Sequence, residues 1–447
     1  MTTSPAAGPA SPAGPPDPTG AGASNLRLSR LLKRQVADRS GESLGKVADV
    51  IVRLRGADYP LVTAVLVAVG GREVFVPIEQ VGALGSDPLR LTSARLDLRH
   101  FERREGEVLL RADVLGHRLI DVERARLVRA ADLQLARQDG EWVLSGVATR
   151  RRPSRLLAPL GLGRRRHPDR EVFEDQGKFE ALIGHAGSAV LRGPFARIRL
   201  LRPAQIADLL EEASKEEETE ILGRVHADPE LEADVFEELD DEQATRLLGA
   251  RSDQEIAEVL SRMRADDAAD AIAELPQRRR EPVLDLLPAG QRAKVLTLMG
   301  FNPTSAGGLM GVDYLALPAD TPVGEVLAAL RQAVNLQPEA LASVHAISPE
   351  GRLCGVARLV TLVQAGPGAL LGDVSDTDPV RVGPDTDVVD VAVLMTDYNL
   401  ITIPVVDDAG HMLGVITVDD VLEVTLPGDW RRREAAEPPD AHHGQPR

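Results

Sequence analysis

Three aspartates, Asp266, Asp267 and Asp270, lie close together in the chain. Spacings of three and four residues put them within reach of one helical face. Carboxylates so placed offer the hard oxygen ligands that a divalent cation takes. The same residues have a plainer use, with Asp266 capping a helix and the others complementing its dipole. Their surroundings are strongly acidic. From Gln205 to Leu275 there are 23 Asp/Glu against 6 Lys/Arg, a difference of −17 that equals the formal net charge of the whole 447-residue chain. Such a segment repels nucleic-acid phosphates and favours cations, which relieve self-repulsion in the compact state. As merely solvated helix faces, however, these acids need no ligand. No catalytic constellation accompanies them. There is no P-loop, no His-Glu-x-x-His, and no imidazole set beside the single cysteine, Cys354, whose apolar neighbours predict a core position. An enzyme is the least supported class.

The elements that must position these residues follow from periodicity. From Leu200 to Met299, short units with apolar residues three and four apart, such as Ile256, Val259, Leu260 and Met263, predict short helices that stack into a superhelix. Beyond Leu309 a unit occurs twice. Gly351-Arg352-Leu353-Cys354-Gly355-Val356 recurs as Gly410-His411-Met412-Leu413-Gly414-Val415, and Asp320-Thr321-Pro322-Val323 as Asp385-Thr386-Asp387-Val388. The repeat predicts two similar small folds packed on one another, with a ligand-sized groove between them. Before the helices, Leu26 to Thr149 reads as strands. Val50, Val52 and Leu54 alternate, Val74, Val76 and Ile78 follow a turn at Gly70-Gly71, and a weaker echo from Asp113 to Leu144 predicts a barrel of two related halves. Met1 to Ser24 reads as a disordered leader, and the Arg-rich stretch from Arg150 to Arg170, broken by Pro and Gly, as a linker. No run reaches the roughly 18 apolar residues of a spanning helix, and one cysteine fits a reducing cytoplasm.

Several motifs resemble known families. Gly41 to Val50 resembles the PRC-barrel family, which implies an interaction module. The repeated unit resembles a pair of CBS domains. The helical segment, with Arg264 to Asp270 and Ser305-Ala306-Gly307-Gly308-Leu309-Met310, resembles the cytosolic part of MgtE-type magnesium channels. The resemblance implies a multidomain α+β protein: leader 1–25, PRC-like β-barrel domain 26–149, basic linker 150–198, helical domain 199–300, CBS copies 309–366 and 367–427, and disordered tail 428–447. In that family magnesium binds between the helical domain and the CBS pair and closes an attached pore. Carried over position by position, the resemblance implies metal ligands at Asp387, Asp420 and Glu423, which join Asp266, Asp267 and Asp270 as read from their spacing. Two acidic positions of the family fall on Val389 and Asn399, which implies weaker affinity. CBS pairs hold adenosine nucleotides with Ser/Thr-x-x-Asp, present here as Thr417-Val418-Asp419-Asp420, whereas the first copy has Arg358-Leu359-Val360-Thr361.

These implications lead to a soluble regulatory protein whose helical domain closes on the CBS pair when magnesium binds. Alternatives are an accessory subunit or degenerate relative of a magnesium transporter, and a CBS-mediated homodimeric scaffold or adenosine-nucleotide sensor. The expected location is the cytoplasm, with a peripheral place at the membrane beside a transporter as the variant. The expected partners are a second copy of the chain and an unidentified protein, not nucleic acid.

Overall fold

The computed structural model describes residues 25–55, 58–92, 101–104, 106–150, 172–181, 197–334 and 336–426. The expected leader, the C-terminal tail with His442 and His443, and most of the basic linker lie outside the described residues. The chain divides into two units, 1–231 and 232–447.

The first unit is built on long strands. Ser43–Arg55 and Asp58–Val69 pair antiparallel, and Asp58–Val69 turns at Gly70 and Gly71, both at positive φ, into Arg72–Pro77. The sheet continues from Asp58–Val69 to Glu141–Arg150, Arg126–Gln138 and Arg118–Asp121. Residues 47 to 52 are buried without interruption instead of alternating. The strand has apolar material on both faces: Val47, Val50 and Val52 in the main core, Ala48 and Ile51 in a smaller cluster with Ala64, Leu66 and Leu109. Two short strands inside the expected linker, Phe173–Asp175 and Phe179–Ala181, pair with Glu141–Arg150 and Arg118–Asp121.

The weak sequence echo in this unit is a structural repeat. Helix α1 (Leu28–Leu31) corresponds to the helical turn Leu110–Val114. Lys33 N donates to Val47 O and Val47 N to Arg34 O, while Gly116 N donates to Ala130 O and Ala130 N to His117 O, all at 2.8–3.0 Å. Two buried carboxylates then tie the halves reciprocally. Asp49 accepts from the backbone of Arg111 (2.7 Å) and Ala112 (3.0 Å), and Asp132 from Ser29 N (3.1 Å) and Oγ (2.5 Å). Asp49 thereby satisfies two first-turn N–H groups and Asp132 one, groups that no helical carbonyl can reach. Burial pushes the Asp49 carboxyl up to about 6, against the pull of those N–H groups.

Helices follow: α2 (Pro203–Glu212), α3 (Lys215–Val225), α4 (Pro229–Glu237), α5 (Asp241–Gly249), α6 (Asp253–Leu260), α7 (Ala265–Glu274), α8 (Gln277–Leu286) and α9 (Ala289–Leu298). Local chemistry sets their starts. Ser214 and Ser252 make capping boxes with Glu217 and Glu255, and Asp240 caps α5 through Gln243 N (2.8 Å), each cap worth about 1 kcal/mol. Within the second unit α5 packs on α7, α6 on α8 and α7 on α9, so each short helix buries its stripe against the next but one, as the predicted superhelix requires.

The repeated unit forms two matching folds. In the first, Ala316–Pro318 runs parallel to Ser343–Ile347, which pairs antiparallel with Leu353–Arg358, packed by α11 (Val323–Gln332). In the second, Thr402–Val406 pairs with Met412–Thr417, and a single parallel bridge from Val382 to Val405 stands where the first copy has its parallel strand. The hairpin turns are equivalent, with Gly351 and Gly410 both at φ 83°. The turns also pair with each other: Leu353 N donates to Gly410 O (2.9 Å), and Ser343 Oγ meets Thr402 Oγ1 at 2.7 Å. The junction before them, opened by α10 (Ala306–Leu309), is sewn to the second copy by Ala306 N to Thr386 O (2.8 Å) and Gly307 N to Pro384 O (2.7 Å). A Cβ at Gly308 would lie 2.3 Å from Asn302 O, so the close approach admits only glycine there. Cys354 is exposed on its strand, not core. Outward-facing positions of this half-buried sheet tolerate apolar residues as readily as the core does.

Candidate functional site

The expected aspartates sit on α7, and the residue that organises them is Arg264, immediately before it. Arg264 holds the N-cap position without a side-chain cap, where α3, α5 and α6 have Ser or Asp. Its guanidinium is spent elsewhere. Nε donates to Asp267 Oδ2 (2.6 Å) and lies 3.5 Å from Glu237 Oε2, while Nη1 donates to Asp420 Oδ1 (3.0 Å). With its amide oxygen turned inward, Gln337 accepts from Nε (3.2 Å) and Nη1 (2.6 Å). The backbone N–H of Arg264 donates to Glu237 Oε1 (2.6 Å). One side chain thereby joins the ends of α4 and α7, the loop after α11 in the first CBS copy, and α15 (Val418–Thr425) in the second.

The charges do not balance. Glu237, Asp266, Asp267 and Asp420 surround a single guanidinium. Burial opposes the charge on Arg264, yet Asp267, Asp266, Asp420 and Glu237 together raise its pKa above the ordinary value. Burial, with Asp234 and Asp266 nearby, pushes Glu237 up to about 7. Burial and Asp420 raise Asp266 against the pull of Arg264, and burial beside Asp266 raises Asp267. Asp270 lies at the exposed edge of the group. Partial desolvation and then repulsion from Asp266, Asp241 and Glu274 hold it at about 6.

Of the six expected ligands, four gather here: Asp266, Asp267, Asp270 and Asp420. Asp266 is buried in the first turn of α7 and does not cap it. Asp387 stands apart, as the N-cap of α14 (Val388–Tyr398), accepting from Val389 N (2.8 Å). Glu423 is exposed on α15, one turn beyond Asp420. Asn399 terminates α14 in the left-handed conformation, φ 52°, which accounts for asparagine there without a ligand role. The donor chemistry of the junction suits a hard cation, but its geometry does not. Among the described residues no three His, Cys, Asp or Glu side chains come together as a metal site. Both oxygens of Asp420 are engaged, with Oδ1 accepting from Arg264 and Oδ2 from Thr417 Oγ1 (2.6 Å) and N (3.2 Å).

The Thr417 to Asp420 turn is thus a capping box for α15, with Thr417 Oγ1 also 2.5 Å from Asp419. Its counterpart in the first copy, α12 (Leu359–Gln364), begins at Arg358 with no cap hydrogen bond. Sequence reasoning missed Glu237, Gln337 and the role of Arg264. The available signal was an arginine at a helix start, where a short oxygen-bearing side chain is favoured.

Residues 201–304 match the MgtE intracellular N domain, 371–426 the CBS domain and 24–96 the PRC-barrel domain. The magnesium transporter MgtE of Thermus thermophilus is 38% identical over 164 residues, which are 36% of this chain and 36% of that protein. That of Bacillus subtilis is 24% identical over 226 residues, 51% of this chain and 49% of that protein. The chain thus spans half or less of the length of these curated relatives. The crystal structure of the cytosolic domain of the Mg2+ channel MgtE in complex with ATP is 30% identical, covering 53% of this chain and 97% of that one, with a TM-score of 0.49. None of the matched families is catalytic. Among the described residues no helix is long and apolar enough to cross a membrane.

Proposed function

We propose, from the homology of this chain to the cytosolic domains of MgtE magnesium transporters, that it is a regulatory binding module responsive to divalent cations, magnesium first among them. It carries the MgtE N domain and CBS pair, preceded by a PRC-barrel domain. The observation that supports this reading is the Arg264 junction. Helical segment and both CBS copies meet there around more carboxylates than one guanidinium neutralises, an arrangement that costs stability and that a cation in solution is able to bias. The output is a change in how the helical segment sits on the CBS copies, conveyed to a protein partner, for which a membrane transporter is the first candidate. Calorimetry with millimolar MgCl2 on the full chain, repeated on Asp270→Ala and Asp420→Ala, is the test. The wild type is expected to give heat that both variants reduce, and no heat in the wild type overturns the reading.

Self-association through the CBS copies accompanies this function. Val360 and Val363 on α12, Val389 and Val393 on α14, and Leu422 on α15 are exposed apolar side chains, and exposed apolar side chains on helices of both copies suit contact with a second chain. Sedimentation should show a dimer that Val360→Glu with Val363→Glu converts to monomer. Adenosine-nucleotide binding is proposed only for the second copy, at Thr417 and Asp420, and there it competes with the Asp420–Arg264 pair.

A further inference from the structure

The expected cation junction lacks a cation-binding geometry but contains a cation of its own. We propose that Arg264 takes the place of a metal ion here, so that the helical segment is held on the CBS copies without metal, and a divalent cation acts by displacing the guanidinium. This rests on reading the junction as the responsive element and specifies how it responds.

Three observations carry the proposal. First, Arg264 reaches across 156 residues of chain to Asp420 while bound to Asp267 and Glu237 on its own side and Gln337 on a third element. A guanidinium is planar and permanently charged, with five donors. It can therefore engage carboxylates from several elements at once, as a bridging ion does. Second, the four oxygen-bearing partners come from four separate elements, so the contact is lost if the helical segment moves away. Third, the position is a helix N-cap, at which arginine contributes no capping bond. Its value lies in the contact across the junction.

The consequence is a competition. A divalent ion competes with the guanidinium for Asp267 and Asp420, since Arg264 donates to one oxygen of each. Removing the guanidinium frees the carboxylates and deletes a repelling charge a few ångströms away. The Arg264→Gln variant should therefore bind Mg2+ at least about tenfold more tightly than the wild type.

The test measures a distance in the full chain, with spin labels on native Cys354 and on Glu281→Cys, both exposed. In EDTA the wild-type pair should give one narrow distribution. Arg264→Gln should broaden and lengthen it, and millimolar MgCl2 should restore it. Asp420→Asn, which leaves the helical side intact, should also lengthen it in EDTA and guards against misfolding of the first variant. A narrow, unchanged distribution for both variants in EDTA overturns the proposal, as does a lengthened distribution in Arg264→Gln that MgCl2 does not restore. If the wild type shows no heat with MgCl2 while Arg264→Gln is re-docked by it, Arg264 holds the junction in place of a metal, and displacement of the guanidinium by a divalent cation is overturned together with the proposed cation response.

Discussion

Glu237 gives the sharpest quantitative prediction. Its carboxyl is buried beside Asp234 and Asp266 and is held at about 7, against an ordinary 4.5, although Arg264 donates to it. A carboxyl whose pKa is raised on folding binds its proton more tightly in the folded state. Its stabilising contribution is full below the unfolded value near 4.5 and is lost as pH climbs through 7. The difference corresponds to about 3 kcal/mol at 1.36 kcal/mol per pH unit, and relaxation and water entry reduce this to about 1–3 kcal/mol. Glu237→Gln keeps an oxygen for the Arg264 N–H and removes the ionisation. The variant should therefore gain about 1–3 kcal/mol relative to wild type between pH 4.5 and pH 8.5, with the change centred between pH 5 and 7. Urea unfolding followed by circular dichroism at 222 nm at four pH values in that range measures it. Taking the difference between variant and wild type cancels the titration of groups elsewhere. If the difference is independent of pH, or the variant loses ground at high pH, Glu237 is ionised throughout and its pairing with Arg264 outweighs its burial.

His345 should show the opposite sign. It is buried, Nε2 has no partner among the described residues, and burial lowers its pKa to about 4, so the stability it allows above pH 6.5 is lost as pH falls toward 4. Its imidazole resonances should not titrate above pH 5, and a midpoint near 6.5 refutes the assignment. In the first unit Asp49→Ala strips acceptors from Arg111 N and Ala112 N, and Asp132→Ala from Ser29 N and Oγ. Each should cost about 1–2 kcal/mol, the scale of a lost helix cap, because water reaches the donors on the exposed residues Arg111, Ala112 and Ser29. Amide exchange should accelerate at Arg111 and Ala112 in the first variant and at Ser29 in the second. Gly414→Ala would place a Cβ 2.8 Å from Gly311 O and Met310 Sδ. A loss of about 1–3 kcal/mol is expected in thermal unfolding, and an unchanged midpoint would mean that the junction yields easily.

The parts of the fold that were legible in sequence are those set by local pattern. The recurrence of Gly351 to Val356 as Gly410 to Val415 is matched by equivalent hairpins, and that of Asp320 to Val323 as Asp385 to Val388 by helices that both start there, Val323–Gln332 and Val388–Tyr398, because apolar spacing and flanking turn residues act within a few positions. The two-halved first unit was faintly visible. Its proof, the exchange of Asp49 and Asp132 between halves, joins residues 62 and 103 positions apart, and no local pattern announces such a pair. Cys354 was misplaced because an outward strand position among apolar neighbours reads like an inward one. At the junction the aspartates of α7 were found by type and spacing. Glu237 and Gln337 were not, since what selects them is the one guanidinium they share.

That sharing bears on why the junction takes this form. A buried ion pair is weak evidence for stability, since desolvation offsets most of its attraction, and an apolar contact of equal size would hold the helical segment at least as well. What an apolar contact lacks is sensitivity to ions. The Arg264 cluster is poised because its acids outnumber its base, so small gains from an incoming cation compare in size with the contacts it would break. A clasp of one arginine and four carboxylates also fails in a graded way. Losing Asp420 cuts the link to α15 and leaves Asp267, Glu237 and Gln337 in place, whereas losing Arg264 breaks every link at once and leaves the acids facing one another. The Arg264→Gln variant should therefore be the more salt-sensitive of the two, because screening relieves repulsion among its unpaired carboxylates. A rise from low ionic strength to about 1 M NaCl, where the Debye length falls to about 3 Å, should recover more stability in Arg264→Gln than in Asp420→Asn, as read by urea unfolding. Equal recovery in both would show that the acids do not repel one another across this junction, and the reading of Arg264 as a substitute cation would lose its electrostatic basis.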